Sequence, residues 1–209
     1  MSIYIGLSGV AGAGKDLFFS LLSQKLDCVR QSLADNLKKE VTEWCYNHYG
    51  IHPLTCSREE KDIIRPLLVA HGSIKRGKTN GRHWIEELNK KIKNNLSNSI
   101  VIVTDIRYDD YPKDEAYWLK EELGGYLVHI SLYDEVSRLN SSFKKYKLPA
   151  NEEEARNNPE LIRKADYIVD WKREKDKSRL EPHVNDFLDW LEKKDDRYSA
   201  YGKAEKDGV

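Results

Sequence analysis

The segment from Ile3 to Phe19 constrains the fold of this chain more than any other. It reads IYIGLSGVAGAGKDLFF. A short β-branched run predicts a buried strand, and apolar residues at helical spacing after Lys15 predict a helix. Between them, G-x-x-x-x-G-K lets backbone N–H groups turn inward around phosphate oxygens at a helix N-terminus. The alternative is a glycine-rich turn that only caps the helix. The pattern favours a phosphate-binding loop, formed by Gly9, Val10, Ala11, Gly12, Ala13, Gly14, Lys15, Asp16 and Leu17.

Strands and helices alternate along the rest of the chain. Further apolar runs predict strands at 28–34, 99–105, 126–132 and 166–171. Helical periodicity appears between them, including a pair near 63–68 and 85–96 separated by the polar segment HGSIKRGKTNGRH. The pattern predicts an α/β P-loop NTPase fold with three layers, in which helices flank a parallel sheet of about five strands. Ligand chemistry is then expected at the carboxyl ends of the strands.

Composition narrows the classes of function. The 209 residues have a formal net charge of zero, and no aromatic RNA-binding strand motif occurs, so we expect no stable nucleic acid binding. Three cysteines without a C-x-x-C pair indicate reduced thiols. No apolar run reaches membrane-spanning length and no secretory leader opens the chain, so we expect a cytoplasmic protein without membrane association.

Two carboxylates and one arginine are candidates for phosphoryl chemistry. Asp16 stands where such loops usually carry Ser or Thr, and it would bind Mg²⁺ or only favour the helix N-terminus. Asp105 closes the strand SIVIVTD, where it would hold Mg²⁺ or cap the next turn. Arg107 offers a bidentate fork to a phosphate, with an ion pair to the neighbouring aspartates as the alternative. The predicted cofactors are ATP and Mg²⁺.

Several segments occur in a characteristic order. These are SGVAGAGKD, SLADNLKKEVTEW, RPLLVAHGSIKR followed by HWIEEL, IVIVTDIRYDDYPKDEAYWLKEELGGYLVHISL, and ADYIVDW. In this order the chain, from Ile3 to about Leu191, resembles phage-type deoxynucleoside monophosphate kinases. The resemblance implies a single kinase domain over residues 1–193, with a helical nucleoside-monophosphate-binding insertion at about 34–98 and a lid at about 134–158. The lid segment is charged and expected to be largely helical or mobile, and residues 194–209 are expected to form a flexible tail.

The resemblance also implies roles for individual residues. Lys15, Arg107 and the lid residue Arg138 would be catalytic. The acceptor would be bound by Asp35, Lys38, Arg65, Arg76, Trp84 and Arg107. Trp84 has core packing as its alternative, and Lys38 a solvated helix charge. His129, inside a strand, is expected to be a core residue.

The implied reaction moves the γ-phosphoryl group of MgATP to the 5′-phosphate of a deoxynucleoside monophosphate, in a monomer or homodimer. A deoxynucleoside kinase is the nearest alternative, with Asp35 as the base for a neutral hydroxyl acceptor. Other small-metabolite kinases, including dephospho-coenzyme A kinase and phosphomevalonate kinase, share the fold. A nucleotide-binding switch or a nonenzymatic interaction module is the alternative from a different class.

Overall fold

The computed structural model describes residues 2–96, 98–138 and 141–201, without the side chains of residues 93–95, 138 and 200. The strands are β1 (Ile3–Ser8), β2 (Cys28–Gln31), β3 (Ile100–Val103), β4 (Tyr126–Arg138), β5 (Ser141–Tyr146) and β6 (Tyr167–Lys172). The helices are α1 (Lys15–Leu22), α2 (Leu33–Tyr49), α3 (Arg58–Lys78), α4 (His83–Asn95), α5 (Glu115–Tyr117), α6 (Glu152–Lys164) and α7 (Glu181–Lys194). A π-helical turn at Trp118–Glu122 continues α5.

Five of the strands form a parallel sheet in the order β2-β3-β1-β4-β6, and β5 pairs antiparallel with β4. The central strand β1 aligns Ile5 with Ile102 of β3 and Leu7 with Val128 of β4. These positions are fully buried, as expected for a parallel sheet covered on both faces. The predicted α/β fold class is confirmed.

Helices cover both faces of the sheet. On one face, Phe18 of α1 and Phe187 of α7 make an edge-to-face contact with ring centroids 5.5 Å apart, and the indole of Trp171 packs beside them. On the other face, Leu88 of α4 packs with Trp118 and other side chains of the π-helical turn. The carboxyl ends of β1, β2 and β3 therefore lie together at one edge of the sheet, where ligand sites of such folds occur.

Helix α3 is longer than the sequence pattern predicted. The polar segment HGSIKRGKTNGRH was expected to separate two helices, yet α3 continues through Gly72 and Gly77 to Lys78. A capping box begins this helix, because the Ser57 hydroxyl accepts a hydrogen bond from Glu60 N and Ser57 N donates to the Glu60 carboxylate. Packing of α3 against its neighbours outweighs the small cost of two helical glycines.

The segment after residue 133 also differs from expectation. Instead of a helix, β4 runs on to Arg138 and pairs with β5. Opposite charges face each other across this hairpin, since Asp134 aligns with Lys145 and Glu135 with Lys144. Such cross-strand pairs stabilise an exposed antiparallel ribbon. Among the described residues of this charged run, helix begins at Glu152.

The expected flexible tail is partly ordered. Asp196–Tyr201 forms a 3₁₀ turn, and the Arg197 guanidinium binds the Asp195 carboxylate at 2.6 Å and Ser2 O at 3.1 Å. The remainder of the predicted tail, residues 202–209, lies outside the described residues. The three cysteines are free thiols. In the described part of the chain, no helix has both the length and the apolar character needed to span a membrane.

Candidate functional site

The loop between β1 and α1 has the backbone shape that a phosphate cradle needs. Gly9 and Gly14 have φ angles of 134° and 102°, which L side chains rarely adopt. A Cβ on Gly9 would lie 2.4 Å from Ile130 O, and one on Gly14 would lie 2.4 Å from the Trp171 ring. Both positions therefore require glycine for conformation and for space.

Lys15 folds over this loop. Its Nζ donates hydrogen bonds to Gly9 O at 2.5 Å and Val10 O at 3.1 Å. Burial, reinforced by the nearby positive charge of Arg107, lowers the pKa of Lys15 from 10.5 to about 8. An anion bound at the loop would favour the charged ammonium, so Lys15 is electrostatically suited to binding phosphate.

One amide of the loop already has an anionic partner. Ala11 N donates to the Glu154 carboxylate at 3.1 Å, and Glu154 lies in the first turn of α6. Next to it, a Cβ on Gly12 would lie 2.8 Å from the Lys147 side chain. The segment that follows β5 therefore lies against the phosphate-binding loop.

Asp16 is an open carboxylate at the start of α1. Its side chain is 89% exposed, and its nearest cation is Arg30, at 3.9 Å. The carboxylate therefore remains available to a ligand or a metal ion, and its place in the first helical turn also suits the helix dipole.

Asp105 is instead fully engaged in hydrogen bonds. One of its oxygens accepts from Leu33 N at 2.9 Å, and the other accepts from Ser32 Oγ and Ala34 N, both at 2.8 Å. The side chain therefore caps the N-terminus of α2, a helix distant in sequence, rather than the turn that follows it. A direct metal bond would compete with these donors, whereas a contact through a metal-bound water would not.

A cavity of about 230 Å³ opens beside Lys15 between the sheet edge, α2 and α3. Its wall carries seven cationic side chains: Lys15, Arg30, Lys38, Lys61, Arg65, Arg76 and Arg107. The acidic residues of the wall are Asp16, Asp105 and Glu115. An apolar part is formed by Leu33, Leu37, Leu68, Val69 and Trp84. The cavity wall thus combines a majority of positive charges, including Lys15 of the phosphate-binding loop, with apolar surface.

Some of these cations have no acidic partner. Arg107 makes no ion pair within the described part of the chain; Asp109 pairs with Lys164, and Asp110 lies 2.9 Å from Arg156. The predicted alternative for Arg107, an ion pair to these aspartates, is therefore not formed. Burial, together with the charges of Lys38, Arg65 and Arg107, lowers the pKa of Lys61. Because like charges contribute to this lowered pKa, these cationic side chains lie close to one another.

The predicted acceptor residues divide into two groups. Lys38 and Arg65 line the cavity, and Arg65 also binds Asp62 at 2.5 Å. Asp35 is not among the lining residues and is bound by Lys38 at 3.1 Å and Arg30 at 3.3 Å. Burial acts to raise the pKa of Asp35, but these two cations outweigh it and lower that pKa. A role for Asp35 as a base is disfavoured by this pairing.

Arg76 lies in the wall but is held in a buried cluster. It makes a bidentate contact with Asp114, at 2.8 and 3.0 Å, and binds Glu115 at 3.2 Å. Its guanidinium stacks over the Tyr108 ring at 3.7 Å. The second oxygen of Glu115 accepts from Arg107 N and Tyr108 N, so the cluster fixes the loop that carries Arg107. Burial raises the pKa of Glu115, and Arg76 opposes that effect.

Trp84 and His129 are both buried. Trp84 is 4% exposed and packs in the core, as one predicted alternative held, and it also lines the cavity. His129 lies in β4 as expected, with Nδ1 3.0 Å from Ser8 Oγ. Burial, assisted by Lys15, lowers the pKa of His129 to about 4. The imidazole is therefore neutral at physiological pH.

Arg138, the predicted catalytic residue of the lid, lies at the end of β4 opposite Ser141. Its side chain lies outside the described residues. Two other cations of the predicted lid have acidic partners, since Lys144 binds Asp170 at 2.5 Å and Arg156 binds Asp110 at 2.9 Å. Lys147 of the predicted lid lies against the phosphate-binding loop, beside Gly12.

Sequence reasoning missed Lys61, Arg30 and Glu154. A signal for Lys61 was present, because cavity-lining residues of α3 recur every three or four positions: Lys61, Arg65, Leu68, Gly72 and Arg76. Arg30 reaches the site from an edge strand, and Glu154 reaches it from a helix far along the chain. Neither has a local sequence signal for its contact.

The carboxylates of this site suit a metal ion that is also bound by the phosphates of a substrate. In the residues described, no group of three or more His, Cys, Asp or Glu side chains is arranged to hold a metal ion. Mg²⁺ in phosphoryl-transfer sites is commonly bound by one or two carboxylates together with phosphate oxygens and water. Asp16 fits that requirement directly, and Asp105 fits it through water.

Comparison with known proteins gives a distant likeness to solved structures. No protein-family model and no curated protein sequence matches the chain. Among solved structures, the chain is similar to one described as a dephospho-CoA kinase from Campylobacter jejuni, with 15% sequence identity and a TM-score of 0.48. The match covers 93% of this chain and 99% of that chain. A similarity of this size establishes neither a family nor an activity.

Proposed function

We propose that this protein is an ATP-dependent phosphotransferase for a small metabolite, and that its acceptor is a deoxynucleoside monophosphate. The observation that carries the proposal is the junction of the two parts of the site. Lys15 and Asp16, in the last part of the phosphate-binding loop, line the cationic cavity. A donor polyphosphate and an anionic acceptor would therefore meet at one place.

The donor side would be formed by the loop amides and Lys15. The amides would donate hydrogen bonds to the phosphate oxygens, and the ammonium would neutralise charge on the transferring group. Asp16, and Asp105 through water, would hold Mg²⁺. When bound, Mg²⁺ supplies further charge neutralisation and orients the phosphates. Arg107 lies close enough to Lys15 for their charges to interact, and so it would contact the transferring phosphoryl group.

The acceptor side favours a phosphate over a neutral hydroxyl. A phosphate oxygen of the acceptor forms the new bond to the γ-phosphorus, the bond from that phosphorus to the β,γ-bridging oxygen breaks, and ADP leaves. The attacking oxygen is already anionic, so no general base is required. Asp35, the base expected for a hydroxyl acceptor, is paired with Lys38 and Arg30 instead. Arg65, Lys38 and Lys61 supply the charge that the acceptor phosphate needs.

The apolar part of the wall suits the base of a nucleotide. Leu37, Leu68, Val69 and Trp84 line the cavity, and planar rings bind well against such surfaces. The combination of cationic and apolar lining supports a nucleotide acceptor over a fully polar metabolite.

A kinase for a hydroxyl acceptor is the second candidate. The observation that favours it is Asp16, an exposed carboxylate in the cavity wall that would accept the hydroxyl proton. Acceptors of this class include deoxynucleosides and dephospho-CoA, the latter being the substrate named for the similar solved structure.

The decisive experiment measures ADP release with MgATP across a panel of acceptors. The panel contains deoxynucleoside monophosphates, ribonucleoside monophosphates, deoxynucleosides and dephospho-CoA, and Lys15→Ala serves as the control. We expect a deoxynucleoside monophosphate to stimulate ADP release and Lys15→Ala to abolish it. Stimulation only by deoxynucleosides or dephospho-CoA establishes the second candidate. ADP release by no acceptor contradicts the kinase proposal.

A further inference from the structure

The amide of Ala11 belongs to the loop that would bind the donor phosphates. In this structure it donates to Glu154 Oε2 at 3.1 Å. The same oxygen accepts from Ala150 N at 2.9 Å. A carboxylate oxygen is, like a phosphate oxygen, an anionic hydrogen-bond acceptor for this N–H group.

The position of Glu154 is set by the beginning of α6. Asn151 caps this helix, and its side chain accepts from Glu154 N at 2.9 Å. Along the same helix, Asn157 accepts from Asp109 N at 2.7 Å. These contacts direct the Glu154 carboxylate at the loop before any ligand binds.

Glu154 and a donor polyphosphate cannot share this position. The Ala11 N–H cannot make a full hydrogen bond to both, and two anions at contact distance repel each other strongly where solvent is partly excluded. We propose that Glu154 is an internal competitor that occupies the phosphate-binding loop and must leave it before the donor nucleotide binds. This inference rests on the proposed function, because it takes the loop to be the donor site.

An internal competitor weakens the measured affinity for the donor. The apparent dissociation constant equals the intrinsic constant divided by the fraction of molecules in which the loop is free. If about one molecule in ten has a free loop, removing the carboxylate lowers Kd about tenfold. Deleting the Glu154 side chain should therefore increase the affinity for MgATP.

The test measures MgATP binding by calorimetry to the wild type, Glu154→Ala, Glu154→Gln and Glu152→Ala. Glu152 lies in the same turn of α6 but is exposed, so its substitution is the matched control. We expect Kd to fall about tenfold for Glu154→Ala. It should fall less for Glu154→Gln, which keeps an acceptor oxygen without the charge, and should not change for Glu152→Ala. Thermal unfolding checks that each variant is folded.

A second measurement needs no nucleotide. Hydrogen exchange of the Ala11 amide should be faster in Glu154→Ala than in the wild type, because its acceptor is gone. Unchanged or weaker MgATP binding by Glu154→Ala, with binding retained by the wild type, overturns the inference and leaves the proposed function standing. If neither protein binds MgATP, the proposed function fails, and the inference fails with it.

Discussion

Asp16 and Asp105 are two carboxylates at the same edge of the sheet with different surroundings. Asp105 is buried with three hydrogen-bond donors, whereas Asp16 is 89% exposed. The buried carboxylate maintains the start of α2, and substituting it would alter the fold and the site together. The exposed carboxylate is free to bind metal, so its role can be tested without disturbing the structure.

Replacing Asp16 with Ser should raise the Mg²⁺ concentration for half-maximal activity by about tenfold, because one anionic ligand or water-holding group is lost. A magnesium titration of ADP release measures this. Asp27→Ser is the control, since Asp27 is also exposed but is not a cavity residue. An unchanged magnesium dependence of Asp16→Ser would remove this side chain from the metal site.

At the element scale, α3 is joined to the loop after β3 by Arg76. Arg76 is 5% exposed, and its guanidinium is shared between Asp114 and Glu115. Glu115 in turn accepts hydrogen bonds from two backbone N–H groups of the Arg107 loop. A buried cation with two acidic partners cannot be removed without leaving uncompensated negative charge. The cluster therefore connects the wall of the cavity to the loop that carries its unpaired arginine.

Replacing Arg76 with Ala should lower the free energy of unfolding by about 3–5 kcal/mol, as for other broken buried ion pairs. Urea denaturation measures the change. Arg163→Ala is the matched control, because Arg163 pairs with Glu160 on the surface and its side chain is 67% exposed. That control should change the free energy by about 1 kcal/mol or less. Equal effects of the two substitutions would contradict a structural role for the cluster.

The elements that the sequence predicts well are those determined by neighbouring residues. The strand, loop and helix around Lys15 follow from local periodicity and from glycines that the backbone requires. The hairpin of β4 and β5 was missed because its pairing joins charged residues across two strands, and a charged run has no local preference for strand. Likewise, the contact of Glu154 with Ala11 joins residues far apart in sequence. Long-range contacts of this kind can be identified only once the fold is known.

The sequence indicated many residues of the candidate cavity, but not how each of them is bonded. Lys15, Lys38, Arg65, Arg76, Trp84, Asp16, Asp105 and Arg107 all line the cavity. Their individual bonding could not be predicted, because ion pairing depends on which side chains the fold brings within about 4 Å. Thus Arg76 proved to be paired and buried, whereas Arg107 has no acidic partner among the described residues.

At the scale of the whole molecule, charge is balanced overall but not locally. Equal numbers of acidic and basic residues give a net charge of zero, yet seven cations line one cavity. Self-repulsion in such a site costs stability that a bound anion would recover. The molecule also buries a neutral His129 beneath the loop, 3.0 Å from Ser8 Oγ.

This histidine should make the protein sensitive to acid. The folded-state pKa of His129 is about 4, against 6.5 for the unfolded chain, so between these values the unfolded state binds more protons. Stability contributed by the neutral imidazole is therefore complete above pH 6.5 and is lost as pH falls toward 4. The full difference between these two pKa values corresponds to about 3 kcal/mol. Between pH 7 and 4.5, the unfolding free energy of the wild type should fall by more than that of His129→Gln, measured by urea denaturation.

His48→Gln, at an exposed position, should follow the wild type, and parallel curves for all three proteins would exclude His129 as the cause.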